Sequence, residues 1–171
     1  MRTLFRLLPF MLVLVIVPPG FGQAKEQSFS LTIGAVKSVV KVGSKIRLQI
    51  ELKNTSDHDI ELTAVPWGKE DHPELEGFRP IVTDSQGKPA PLTKWGRLVF
   101  GRSEPSDNVS LSLNAVTTFP LAPGKIYKSE ILLSDLYDLS LPGTYAVEIP
   151  RYDNHTKQEM KSNAVTVSVV H

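Results

Sequence analysis

Along residues 45–53 the side chains alternate without a break. Ile46, Leu48, Ile50 and Leu52 fall on one parity, and Lys45, Arg47, Gln49, Glu51 and Lys53 on the other. A period of two with one apolar and one charged face predicts a β-strand that packs on one side and meets water on the other. The same period recurs along most of the chain. Phe29, Leu31 and Ile33 predict a first strand, which 36–42 would continue after Gly34 until Gly43 turns it. The polar run at 54–59 predicts a turn, because short polar side chains bond to their own backbone. Ile60, Leu62 and Ala64 then resume the alternation.

Residues 66–77 break the pattern and predict a polar loop holding Trp67, Asp71 and His72. A strand is expected over 78–83, at an edge or bulge because Pro80 cannot donate to a ladder, followed by a turn at 84–87 in which Gly87 takes a positive φ. Residues 92–100, with Trp95, are expected to be extended, and 101–108 to form another polar loop. Val109, Leu111, Leu113, Ala115, Thr117, Phe119 and Leu121 share one parity, so one long strand or two in succession should lead into Pro123-Gly124. Ser129, Ile131 and Leu133 share a face, after which Ser134 is placed to cap a single helical turn reaching Tyr137. Gly143-Thr144-Tyr145-Ala146-Val147 has the spacing of a tyrosine corner, with Val147 where antibody domains keep their second cysteine. A polar hairpin loop over 152–162 precedes a last strand with Val165, Val167 and Val169 inward. Seven to nine antiparallel strands with turn signals every ten residues or so predict an all-β, immunoglobulin-like sandwich. A small barrel is the alternative.

The N-terminus departs from this pattern. Arg2 and Arg6 precede an apolar run over 7–17, interrupted only by Pro9, and Gly22-Gln23-Ala24 ends it with small residues. That is the form of a secretory signal cleaved near Ala24, and the run is shorter than the roughly 20 residues of a membrane-spanning helix. The expectation is a signal peptide over 1–24, one sandwich domain over 25–171, and a secreted or periplasmic location with no membrane span after cleavage. Net charge is +1 for the whole chain, and loss of Arg2 and Arg6 brings the mature part to −1. Such balance gives no electrostatic basis for capturing nucleic acid. The absence of cysteine excludes thiol catalysis, thiolate metal sites and disulfides, so an exported domain must rely on its core alone.

Chemistry-bearing motifs are few. The sequence has no His-Glu-x-x-His, no Gly-x-Ser-x-Gly and no glycine-rich nucleotide-binding loop. Asp57-His58-Asp59 gathers oxygen and imidazole ligands, with Asp71-His72 and His155 beside Asp153 and Asn154 as further groups. Neighbours in a turn point in different directions, so the expectation is a solvated turn with a surface histidine. Trp67 and Trp95 are expected to plug the open end of the sandwich rather than to form a contact surface. Asn54, Asn108 and Asn154 stand in glycosylation sequons. No residue is assigned to catalysis, to a cofactor or to a metal.

Four segments carry a family resemblance: 52–57 (Leu-Lys-Asn-Thr-Ser-Asp), 84–89 (Asp-Ser-Gln-Gly-Lys-Pro), 119–124 (Phe-Pro-Leu-Ala-Pro-Gly), and 133–139 (Leu-Ser-Asp-Leu-Tyr-Asp-Leu) together with 143–147. In these the chain resembles the noncatalytic N-terminal β-sandwich of deuterolysin-type (aspzincin) metalloendopeptidases and related bacterial immunoglobulin-like domains. The sequence carries no counterpart of their C-terminal zinc-binding domain. What the resemblance implies is a freestanding accessory module, and it transfers no catalytic or zinc-binding residue. A weaker likeness is to small bacterial proteinase-inhibitor sandwiches with a similar Leu-x-Pro-Gly turn. Sequence thus predicts a nonenzymatic, exported module that binds a protein partner or serves the cell envelope. The alternative is an inhibitor of an extracytoplasmic peptidase, acting through the 66–77 or 101–108 loop; a hydrolase with a non-contiguous site ranks below both.

Overall fold

The computed structural model describes residues 27–64, 77–107 and 117–171. The expected leader, Trp67, Asp71 and His72 of the first polar loop, Asn108, and the strand expected over 109–115 lie outside the described residues.

Among the described residues eleven strands, two short α-helices and a 3-10 turn (Pro105–Asp107) follow one another. The strands and α-helices are β1 (Phe29–Ala35), β2 (Val39–Lys41), β3 (Arg47–Asn54), β4 (Ile60–Ala64), β5 (Ile81–Asp84), α1 (Lys94–Val99), β6 (Thr117–Leu121), β7 (Ile126–Leu132), α2 (Leu133–Leu136), β8 (Gly143–Glu148), β9 (Pro150–Asp153), β10 (Gln158–Lys161) and β11 (Val165–Val170). Seven strands form two main sheets, one in the order β1-β3-β7 and one in the order β2-β11-β8-β5; β4 pairs with β6 and β9 with β10. This is the immunoglobulin-like sandwich that the alternating pattern predicts.

The core lies between the two main sheets. In β3, Leu48, Ile50 and Leu52 are fully buried while every alternate residue is exposed. From the other strands Val82, Ile131, Val147 and Val167 join the same cluster with at most 1% exposure. The tyrosine corner forms as predicted: the Tyr145 hydroxyl donates to the Leu141 carbonyl at 2.8 Å, which ties the start of β8 to the turn before it.

Four local expectations are corrected. Residues 152–162 are not loop throughout: β9 and β10 pair antiparallel there, with Gln158 opposite Asp153 and Lys161 opposite Pro150, and only the turn between them is loop. Residues 36–42 do not continue β1. The chain leaves one sheet after Ala35, and β2 joins the other, parallel to β11, with Val39 opposite Ser168. The amide of Asn163 bonds β1 in both directions, accepting from the Ile33 N–H at 2.8 Å and donating to the Ile33 carbonyl at 3.0 Å, as a strand partner would. Residues 94–99 are helical, not extended. Thr93 caps them by accepting the Gly96 N–H at 2.9 Å, and its own N–H reaches the Leu136 carbonyl at 3.0 Å. Helix α1 therefore lies directly on α2, so closely that a Cβ on Gly96 would stand 2.0 Å from the Leu136 carbonyl oxygen. Ser134 lies inside α2 instead of capping it; its hydroxyl accepts from the Ile46 N–H at 3.3 Å, and Leu132 occupies the cap without a side-chain bond.

Past α1, Asp107 is buried and accepts Nε, at 2.9 Å, and Nη2 along one edge of the Arg97 guanidinium, while Nη1 donates to the Leu92 carbonyl at 3.2 Å. This pairing, with the Glu104 N–H as a further donor, holds the Asp107 carboxyl well below the usual carboxylate range. No helix among the described residues is long and apolar enough to cross a membrane.

Candidate functional site

Two turns meet at one end of the sandwich. The β3–β4 turn is organised by Asn54, which is fully buried. Its amide donates to the carbonyls of His58 and Leu121, each at 2.7 Å, and its oxygen accepts from the backbone and hydroxyl of Ser56. The side chain that the sequon offers for glycosylation is thus engaged on both sides inside the fold, whereas Asn154 is exposed.

The β9–β10 turn is organised by Asp153, also buried. It accepts the N–H of Ser28 at 3.0 Å, of His155 at 2.9 Å and of Thr156 at 3.3 Å, and Lys157 closes the turn at φ 60. Burial works to raise the Asp153 carboxyl, but these donors outweigh it and hold its pKa at about 2.

Ser28 joins the two turns. Its N–H goes to Asp153, while its carbonyl accepts the N–H of Thr55 at 2.9 Å and of Ser56 at 3.2 Å. This shared anchor brings His58 and His155 together, with ring centroids 4.4 Å apart and planes inclined by 44°. Asp57 lies 2.9 Å from His58 Nδ1, and that bond holds the Asp57 carboxyl below its ordinary value. Both rings border a cleft of 660 Å³, whose other walls include Gln27, Ser28, Thr55 and Ser56. The buried hydroxyl of Ser28 has no hydrogen-bond partner among the described residues.

Of the groups singled out in the sequence, then, Asp57, His58, Asp153 and His155 converge. Asp71 and His72 lie outside the described residues. Trp95 is half-buried on α1 and packs against the core. Nothing local in the sequence signals the convergence, because it depends on Ser28 bonding to two segments far away in the chain.

A second surface has no counterpart in the sequence motifs. On the outer face of the β2-β11-β8-β5 sheet, Val39 lies level with Ser168 and Thr144, and Thr166 level with Ala146 and Thr83. Ile81 and Val170 extend this face at 46% and 42% exposure, and Val39 is 58% exposed. Among the described strand residues of this face only Lys41 and Glu148 are charged, and Glu148 is paired with Lys161 from β10 at 3.7 Å. The outer face of the opposite sheet is laced with charge instead, including Arg47–Glu130 and Lys128–Glu51 pairs at 2.5 Å each.

No protein-family model matches the chain, and no curated protein matches it. Among solved structures it is similar to the CARDB domain of a Pyrococcus furiosus protein in complex with di-metal ions, at 14% identity over 85% of this chain and 90% of that one, with a TM-score of 0.45. It is also similar to a Listeria innocua β-glucosidase in complex with isofagomine (14% identity, 84% of this chain, 16% of that one, TM-score 0.43). A Pseudomonas fluorescens alkylpurine DNA glycosylase bound to DNA gives 11% identity, 84% and 30% coverage, and a TM-score of 0.42. The chain spans only 16% of the β-glucosidase. Likenesses of this strength carry no functional argument.

Proposed function

We propose that the protein is an exported, noncatalytic sandwich module that binds a protein partner in the cell envelope or outside the cell. The observation that carries the reading is the outer face of the β2-β11-β8-β5 sheet, whose two central rows, Val39-Ser168-Thr144 and Thr166-Ala146-Thr83, carry no charge, while Val170 beside Lys41 and Ile81 beside Glu148 form its margins. The centre of a protein interface is depleted in charge in the same way, whereas the opposite sheet has the charged outer face usual for a solvated one. Export is supported by the basic, apolar and small-residue succession of residues 1–24, and an accessory role by the resemblance to peptidase-associated sandwiches.

The test is a pull-down from the source's envelope fraction with three forms of the mature domain. The unmodified domain and Gln49→Lys, on the opposite face, should retain the same protein, and Ala146→Lys should lose it at unchanged melting temperature. Retention of nothing, or equal retention by all three, contradicts the proposal. N-terminal sequencing of the exported form should begin at or near Lys25.

A further inference from the structure

We infer that His58 and His155 form a two-imidazole site for a divalent late transition metal, with Cu²⁺ the best-fitting ion. Three observations meet there. The rings come from different turns and stand 4.4 Å apart at their centroids. With both Nε2 atoms turned to one ion, metal–nitrogen bonds of ~2.0 Å and a ring centre about 1.1 Å beyond each nitrogen, that separation accommodates a nitrogen–metal–nitrogen angle of roughly 90°. This is the cis angle of a tetragonal Cu²⁺ or Ni²⁺ site, and Cu²⁺ leads the affinity order of first-row divalent ions; tetrahedral Zn²⁺ would require the rings to move apart.

The second observation is Asp57. Its carboxylate takes the Nδ1 side of His58 at 2.9 Å, which fixes the tautomer and leaves Nε2 to the metal, as in carboxylate–histidine–metal arrangements. The third is the framework. Asn54 fixes the His58 backbone, Asp153 fixes that of His155, and Ser28 joins the two turns, so the imidazoles are brought together before any ion arrives.

Among the described residues no three His, Cys, Asp or Glu side chains are placed to share an ion. The protein ligands are therefore two imidazoles, and the remaining positions fall to water from the adjoining cleft. His58 keeps 39% of its side chain exposed, so an ion reaches it from solvent without opening the fold.

The test uses the untagged chain and Cu²⁺ alone. Calorimetric titration should show one Cu²⁺ per chain. His58→Ala and His155→Ala should each weaken binding at least tenfold, Asp57→Asn should weaken it roughly tenfold, and His171→Ala, at the exposed C-terminus, should leave it unchanged. Electron paramagnetic resonance of the unmodified chain counts coordinated imidazole nitrogens directly and decides the matter even if a variant fails to fold. Two imidazoles are expected. One or none, or an affinity indifferent to either histidine substitution, overturns the inference.

Discussion

Among single residues, Tyr145 and Asn54 mark the limits of what the sequence makes legible. The role of Tyr145 is local: its hydroxyl reaches four residues back, and the spacing Gly143-Thr144-Tyr145-Ala146-Val147 discloses it. Replacing Tyr145 with Phe keeps the ring in the core and removes only the bond to Leu141. The expected loss is about 1 kcal/mol, measured by denaturant unfolding, and an unchanged midpoint would show that the corner bond adds nothing. Asn54 reads as one polar residue in a turn, yet it is buried and bonds to Leu121, 67 residues away. No local pattern discloses a partner at that distance. The same holds for His58 and His155, whose meeting depends on Ser28 bonding to both turns.

Among elements, the strands with a clean alternation are legible in the sequence, whereas β9, β10 and α1 are not. Strand β3 alternates cleanly because one face is core and the other is water. In Lys94–Val99, Gly96 and the β-branched Val99 are poor helix formers, and six residues are too short a run for the i, i+3, i+4 spacing of Trp95, Leu98 and Val99 to distinguish a helix from a strand. Helicity there follows from the Thr93 cap and from the seat on α2, a tertiary contact that overrides propensity. Gly96→Ala raises helix propensity but drives a methyl into the Leu136 carbonyl. We expect destabilisation by about 3 kcal/mol, the cost of overpacking a closed contact. Should Gly96→Ala stabilise the domain in thermal unfolding, the packing of α1 on α2 is wrong. The sheet switch between β1 and β2 is equally hidden, since the valines of 36–42 read as more of the preceding strand while the pairing partners of Val39 and Val40 lie in β11.

At the scale of the whole molecule, two buried carboxylates set the response to acid. Asp153 is held at about 2 by backbone donors, and Asp107 is held well below its ordinary range by Arg97. In the unfolded chain each takes up its proton near pH 3.9, so below that value the unfolded state binds more protons. Stability from these groups is complete above about pH 4 and falls as the pH drops toward 2. Denaturant midpoints across that window should fall steeply for the unmodified protein and less steeply for Asp107→Asn with Asp153→Asn. Identical profiles would remove these two residues from the account.

The proposed binding face also belongs to this scale. Its residues come from β2, β5, β8 and β11, and each strand alone shows only ordinary outward positions. Pairing order alone places Thr83, Ala146 and Thr166 in one uncharged row. The most direct test is site-specific photo-crosslinking in the source's envelope, with the reactive side chain at Thr166 in one protein and at Gln49 in another. The account predicts one discrete protein adduct from Thr166 and none from Gln49. No adduct from Thr166, or the same adduct from both faces, would contradict it.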